Sequence, residues 1–128
     1  MQVSLYRSTG GRLGGSFRGA PVMLLTTTGR KTGAPRTTPV LYIRDGPDLV
    51  TVASNGGKDP DPSWWKNLKK TPGASVQVKG EKIKVEAKKA TPEEKERLWP
   101  LLLKMYPTYA KYQEKTKRVI PVVILTPH

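Results

Sequence analysis

Residues Met23 to Tyr42 read MLLTTTGRKTGAPRTTPVLY, two strand-like apolar ends joined by a basic turn rich in glycine and threonine. A fold that accepts this segment must leave three cations, Arg30, Lys31 and Arg36, on the connection between two β-runs. Gly29 and Gly33 can take positive φ and let backbone N–H groups approach a ligand closely. The hydroxyls of Thr27, Thr28 and Thr32 add neutral donors. Such a turn suits a phosphate, and taken alone it suits equally an ordinary β-connection with solvated charges. It is not a Walker loop, because the G-x-x-x-x-G-K-[ST] pattern requires glycine where Arg30 stands.

Charge strengthens the anion reading. The chain carries 23 Lys plus Arg against 10 Asp plus Glu, a net +13. The first 44 residues hold seven of the basic residues (Arg7, Arg12, Arg18, Arg30, Lys31, Arg36 and Arg44) and no carboxylate before Asp45. That field attracts an anionic partner, whether a nucleotide-like cofactor, a nucleic acid or a lipid head group.

A length of 128 residues fits one domain with a modest core. There is no apolar run long enough for a membrane span and no secretory segment at the start, which places the protein in the cytoplasm; a polybasic surface can still touch anionic membrane. The absence of cysteine excludes disulfides, thiolate metal sites and cysteine nucleophiles. The single histidine, His128, excludes histidine triads and clustered histidine metal sites. An enzyme of this composition borrows its chemistry from a cofactor.

Residues 1–20, with five glycines and three arginines, read as an irregular basic arm, and residues 21–128 as one domain. Strand-like runs follow at Val22–Thr27, Thr37–Arg44 and Leu49–Ser54, with Pro39 marking an edge, bulge or strand start. Ala74–Val78 and Glu81–Ala87 flank the two-residue turn Lys79-Gly80, a tight hairpin in which Ile83, Val85 and Ala87 alternate with charges. Val119–Leu125 is nearly continuous in apolar residues and reads as a central or buried strand. Asp61-Pro62 opens a helix carrying Trp64, Trp65 and Leu68. Thr91-Pro92-Glu93-Glu94 is a capping box that opens a second helix, kinked or split at Pro100. Beyond Pro107, a helical continuation places Tyr106, Tyr109 and Tyr112 roughly on one side. Six strands and about two helical segments indicate a small barrel with appended helices.

A second glycine turn, Ser54-Asn55-Gly56-Gly57-Lys58, ends the third strand and leads toward Trp64-Trp65. A hydroxyl, an amide, two permissive glycines and a lysine suit close approach to a planar or anionic ligand, and also suit a plain loop. One of the two tryptophans is expected in the core.

Taken together, LLTTTGRKTGAPR with the following Pro39, VASNGG with DPSWWKNLKK, TPEEKERLWPLLLKMYPTY and the closing RVIPVVILTP resemble the deazaflavin-dependent nitroreductase family, split-barrel reductases of actinobacteria that use coenzyme F420. The resemblance runs from about Tyr6 to Pro127. It implies a mainly β fold with helices, a six-stranded antiparallel split β-barrel related to the FMN-binding pyridoxamine-phosphate-oxidase-like fold. It further implies hydride transfer from reduced F420 to activated alkenes, quinones or nitroaromatics, with FMN the weaker alternative cofactor. By position in the family motif, Lys31, Thr32, Gly33 and Arg36, with Arg30 beside them, hold the phosphate and oligoglutamate tail. Pro39, Ser54, Asn55, Gly56 and Gly57 border the ring, and Trp64 and Trp65 occupy ring-side aromatic positions. Tyr106, Tyr109 and Tyr112 are candidates for the acceptor pocket, or else pack an amphipathic helix. A proton comes from Ser54, a tyrosine hydroxyl or solvent. Some relatives carry a longer amphipathic N-terminal segment linked to membranes, which this chain's start does not supply; some carry lysine at Asn55 and tyrosine at Leu41. The competing functions are a non-catalytic deazaflavin or FMN binder and a small basic barrel for single-stranded nucleic acid. The expected partner is a small-molecule electron acceptor, and the expected assembly a monomer or homodimer.

Overall fold

The computed structural model describes residues 16–17, 19–58 and 60–128. Most of the expected basic arm lies outside these residues, although Ser16–Phe17 is a short strand, β1, paired with Pro21 and Ala20. The remaining strands are β2 (Ala20–Thr28), β3 (Pro35–Leu41), β4 (Ile43–Asp45), β5 (Asp48–Val52), β6 (Gly73–Val78), β7 (Glu81–Lys89) and β8 (Val122–Pro127). Three helices, α1 (Ser63–Lys70), α2 (Pro92–Met105) and α3 (Thr108–Lys115), complete the fold.

All the strands pair antiparallel, in the order β1-β2-β6-β7-β8-β5-β4, with β3 on the other side of β2. The sheet curls until β3 and β4, consecutive in sequence, stand at its two open ends. Pro39 therefore sits in a strand with one hydrogen-bonded neighbour, where its missing N–H costs no ladder bond on the open side. Thr51 bridges the split by donating its hydroxyl to the Leu41 carbonyl at 2.7 Å.

The number of strands exceeds the expected six because β1 is added and because the run Thr37–Arg44 breaks at Tyr42. Tyr42 is buried, and its N–H donates to the Pro21 carbonyl at 3.3 Å in step with the β2–β3 register, but Pro21 has no N–H to return the bond, so the regular ladder stops at Leu41.

β8 is buried on both faces, which explains its unbroken apolar sequence. Val123 and Leu125 point into the barrel with Met23, Leu25, Leu49 and Trp65. Val122 and Ile124 face outward and are covered by Leu98, Leu102 and Tyr109 of the helices. The strand starts at Val122, later than expected: Val119 is 68% exposed, and Pro121 has no N–H to donate, offering its carbonyl to Ala53. In the β6–β7 hairpin, Val78 opposes Glu81, Lys79 takes φ 55°, and Lys82, Lys84, Glu86 and Lys88 form the wet face.

One helix expectation needs correction, and at Pro100 the split, one of two expected outcomes, does not occur. Pro62, not Asp61, caps α1, and it makes no side-chain cap bond. The Asp61 carboxylate goes to Arg118 at 2.7 Å and to Lys69 at 3.6 Å, because a charged partner outcompetes a neutral cap N–H. Pro100 does not split α2, which runs unbroken to Met105. Leu98 and Leu102, fully buried on either side of it, hold the helix on β8 and outweigh a penalty of about 3 kcal/mol. The Thr91 capping box forms as read: the Glu94 N–H donates to Thr91 Oγ1 at 3.2 Å, and the Thr91 N–H to Glu94 Oε1 at 3.0 Å.

Candidate functional site

The basic turn closes on itself. Gly29 N–H donates to the Ala34 carbonyl and Gly33 N–H to the Gly29 carbonyl, both at 2.8 Å. Only Gly33 takes positive φ (76°). Gly29 serves a different purpose from the one expected, since a Cβ there would come within 3.0 Å of the Ala34 oxygen. The threonines also divide: Thr27 is buried and accepts from Asn67 Nδ2 at 3.1 Å, and Thr32 Oγ1 accepts from the Ala34 N–H at 3.2 Å. Thr28 lines neither of the two cavities described next.

A cavity of about 510 Å³ lies over this turn, lined by Arg30, Lys31, Thr32 and Arg36 with Trp64 and Asn67 of α1. Asn67 was not singled out in the sequence, yet it anchors the turn. Its Oδ1 accepts from the Arg30 backbone N–H at 3.1 Å and from the Arg30 guanidinium at 3.0 Å. Lys70 Nζ adds a bond to the Arg30 carbonyl at 2.8 Å. Arg30 is thus tied to α1, whereas Lys31 and Arg36 are exposed and enter no ion pair among the described residues.

The second cavity, about 540 Å³, shares Thr38, Ser63 and Trp64 with the first. Its walls are Pro39, Val40 and Leu41 from β3, Ser54, Asn55 and Gly56 from the turn after β5, and Tyr106, Tyr109 and Tyr112. No lining residue among those described carries a charge. Both tryptophans are buried in the barrel core, and Trp64 also lines both cavities whereas Trp65 lines neither. Gly33 and Gly57 shape their turns without lining a cavity.

The turn Asn55–Gly57 is left-handed throughout, with φ of 49°, 64° and 79° at Asn55, Gly56 and Gly57. Two glycines and an asparagine are the residues that tolerate this. Its shape also depends on Arg118, a second residue unnoticed in the sequence. The Arg118 guanidinium donates to the carbonyls of Ser54 at 2.9 Å, Lys58 at 3.0 Å and Ala53 at 3.3 Å.

The tyrosines form one cluster. Tyr106 and Tyr109 meet edge to face with centroids 5.0 Å apart, and the hydroxyls of Tyr106 and Tyr112 are 3.3 Å apart. Burial, reinforced by the neighbouring Tyr106 and Tyr112, pushes the Tyr109 hydroxyl well above the ordinary tyrosine value, so it stays protonated and able to donate. No group of His, Cys, Asp or Glu suited to a metal occurs among the described residues. No helix there is long and apolar enough to cross a membrane.

The paired cavities can therefore hold an elongated molecule with an anionic end and a neutral planar end. Comparison with known proteins gives the chain its family. A model of the F420H(2)-dependent quinone reductase family matches residues 1–127. A Mycobacterium tuberculosis protein named as an F420H(2)-dependent quinone reductase is 42% identical over 127 residues, covering 96% of this chain and 85% of its own. A solved F420-H2 dependent reductase, FDR-A, is 40% identical with a TM-score of 0.76, over 82% of this chain and 93% of that one. A Listeria innocua structure described as a candidate pyridoxamine 5′-phosphate oxidase shares the fold alone, at 19% identity and TM-score 0.59 over 84% and 83% of the two chains. The chain belongs to the F420H(2)-dependent quinone reductases, split-barrel oxidoreductases that take the reduced deazaflavin F420 as cofactor.

Proposed function

We propose that this protein reduces neutral, planar, electron-poor acceptors, quinones first among them, at the uncharged cavity, with F420 held by its anionic end in the basic one. The observation that carries this reading is the division of charge: Arg30, Lys31 and Arg36 line one cavity, and no charged side chain lines the cavity joined to it at Trp64. A ligand with a phosphodiester, a glutamate tail and a flat ring matches both halves. When bound, reduced F420 supplies a hydride from C5, and a quinone that takes up one hydride and one proton becomes a quinol.

The chain's own residues then bind, orient and supply hydrogen bonds. Lys31, Arg36 and Thr32 hold the phosphate and tail, with Gly33 shaping the turn that presents them and Arg30 fixing it through Asn67. Pro39, Ser54, Asn55 and Gly56 border the ring, and Trp64 walls the junction. Tyr106, Tyr109 and Tyr112 line the acceptor side, where the Tyr106–Tyr112 hydroxyl pair and Ser54 offer the proton. Val22, Leu41 and Val52 exclude water from this space.

A solved relative at 40% identity is a domain-swapped dimer. For this chain the reading is of a monomer or homodimer that works in the cytoplasm. The test is turnover of reduced F420, followed by its absorbance, with a panel of quinones, enones and nitroaromatics. Reduced FMN and single-stranded DNA serve as competing ligands. Acceptor-dependent oxidation of F420 supports the reading. Binding without turnover supports a carrier, and tight DNA binding without F420 binding overturns it.

A further inference from the structure

We propose that Arg118 is a positioning residue that sets the separation of the two walls of the neutral cavity, although it does not line that cavity. The inference rests on the reading of this cavity as the site of the cofactor ring and acceptor. One wall is the left-handed turn after β5, and the other is the tyrosine cluster at α3. Arg118 is joined to both.

Toward the turn, its guanidinium is a four-way clamp. Nη1 donates to Asp61 Oδ1 at 2.7 Å and the Ala53 carbonyl at 3.3 Å, and Nη2 to the carbonyls of Ser54 at 2.9 Å and Lys58 at 3.0 Å. The side chain is only 18% exposed, so these bonds are little weakened by water. A trans peptide directs its C=O and the next N–H to opposite sides. Drawing the Ser54 carbonyl onto Arg118 therefore turns the Asn55 N–H away from it. The turn's own bonds are few, Gly57 N–H to Ser54 at 2.9 Å and Lys58 N–H to Asn55 at 3.1 Å, and three successive residues at positive φ need outside support.

Toward the tyrosines, the backbone around Arg118 is gripped by Gln113 of α3. Gln113 Nε2 donates to the Arg118 carbonyl at 2.8 Å, and its Oε1 accepts from the Ile120 N–H at 3.0 Å. Gln113 follows Tyr112 directly, so a shift at Arg118 moves the turn against the tyrosines. Hydride transfer depends steeply on how closely ring and acceptor are held, and this spacing is what the clamp fixes. Lysine cannot replace it, because one ammonium cannot reach four acceptors spread across a planar fork.

Arg118→Lys, Arg118→Ala and Asp61→Asn test the role in three measurements. In the protein without coenzyme, amide exchange at residues 54–58 should quicken at least about tenfold in both Arg118 variants, and less in Asp61→Asn. F420 affinity should stay within a few-fold of the parent because the basic turn is untouched, while the single-turnover rate of hydride transfer falls about 100-fold. Free guanidinium should restore part of the Arg118→Ala rate. Unchanged exchange at 54–58, an unchanged transfer rate, or affinity and rate falling together with melting temperature would overturn the proposal. If the parent protein does not bind F420, the functional reading fails, and the exchange measurement still decides whether Arg118 holds the turn.

Discussion

Gly57 lies directly against the backbone of Tyr112: a Cβ at Gly57 would stand 2.9 Å from the Tyr112 Cα and 3.0 Å from its carbonyl oxygen. Two walls of the neutral cavity meet at this contact, so it sets the cavity's width along with Arg118.

Gly57→Ala should therefore act on both stability and function. Positive φ at 79° and the backbone clash together predict a loss of about 1–3 kcal/mol in chemical denaturation. Turnover should fall more than F420 affinity, because the basic turn is remote from the change. A variant with parental stability and turnover contradicts this account.

Asn67→Ala removes the residue that joins Arg30, Thr27 and α1. Asn67 is buried, and its loss leaves the Arg30 N–H and the Thr27 hydroxyl without that partner. The expected cost is about 1–3 kcal/mol, measured by urea unfolding. F420 affinity should drop as well, since the turn loses its anchor. An unchanged urea midpoint and affinity would show that the turn holds its shape without α1.

Tyr109 gives a prediction at alkaline pH. Its hydroxyl holds its proton more tightly in the folded chain than in the unfolded one. Its contribution to stability is thus intact below the ordinary tyrosine value of about 10 and is lost as pH rises from there through the folded value. Ultraviolet titration of the parent against Tyr109→Phe should show no ionisation of Tyr109 near pH 10 while the fold persists. A normal step there would mean that the ring is more hydrated than the cluster suggests.

Acceptor charge offers an independent check. Because the lining of the second cavity is uncharged, an anionic substituent on the acceptor has no partner there and pays for its desolvation. A naphthoquinone should be reduced with a kcat/KM at least about tenfold above that of its sulfonate. Equal values would place the acceptor in the basic cavity instead.

Much of this arrangement is legible in the sequence because strong local signals and tertiary packing agree. The Thr91 capping box, the Lys79-Gly80 hairpin and the doubly buried Val122–Leu125 run each rest on one period or one turn rule. The glycine turns are visible as motifs, and the structure sets Lys31 and Arg36 along one cavity and Ser54, Asn55, Gly56 and the tyrosines along the one beside it. What local patterns do not reveal is which side chain reaches across the fold. Asp61 looks like a helix cap until Arg118, far along the chain, captures it. Asn67 looks like an ordinary polar helix residue until the barrel closes over it. Pro100 looks like a break until the burial of Leu98 and Leu102 is counted. Trp64 and Trp65 are adjacent, alike and both buried in the core, and only helix orientation lets Trp64 line the cavities as well.

The central claim is that the basic turn and the neutral cavity form one site for the two ends of F420. Fluorescence titration with intact F420, and with the ribityl deazaflavin lacking the phosphate and glutamates, tests it most directly in the parent and in Lys31→Ala/Arg36→Ala. Both side chains are exposed, so each is expected near the lower end for a charged hydrogen bond, about tenfold in affinity. Intact F420 should therefore bind the parent about 100-fold more tightly than the truncated molecule, and the double variant should erase most of that difference. Equal affinity of the two molecules for the parent, or a double variant that still prefers intact F420 as strongly, would contradict it.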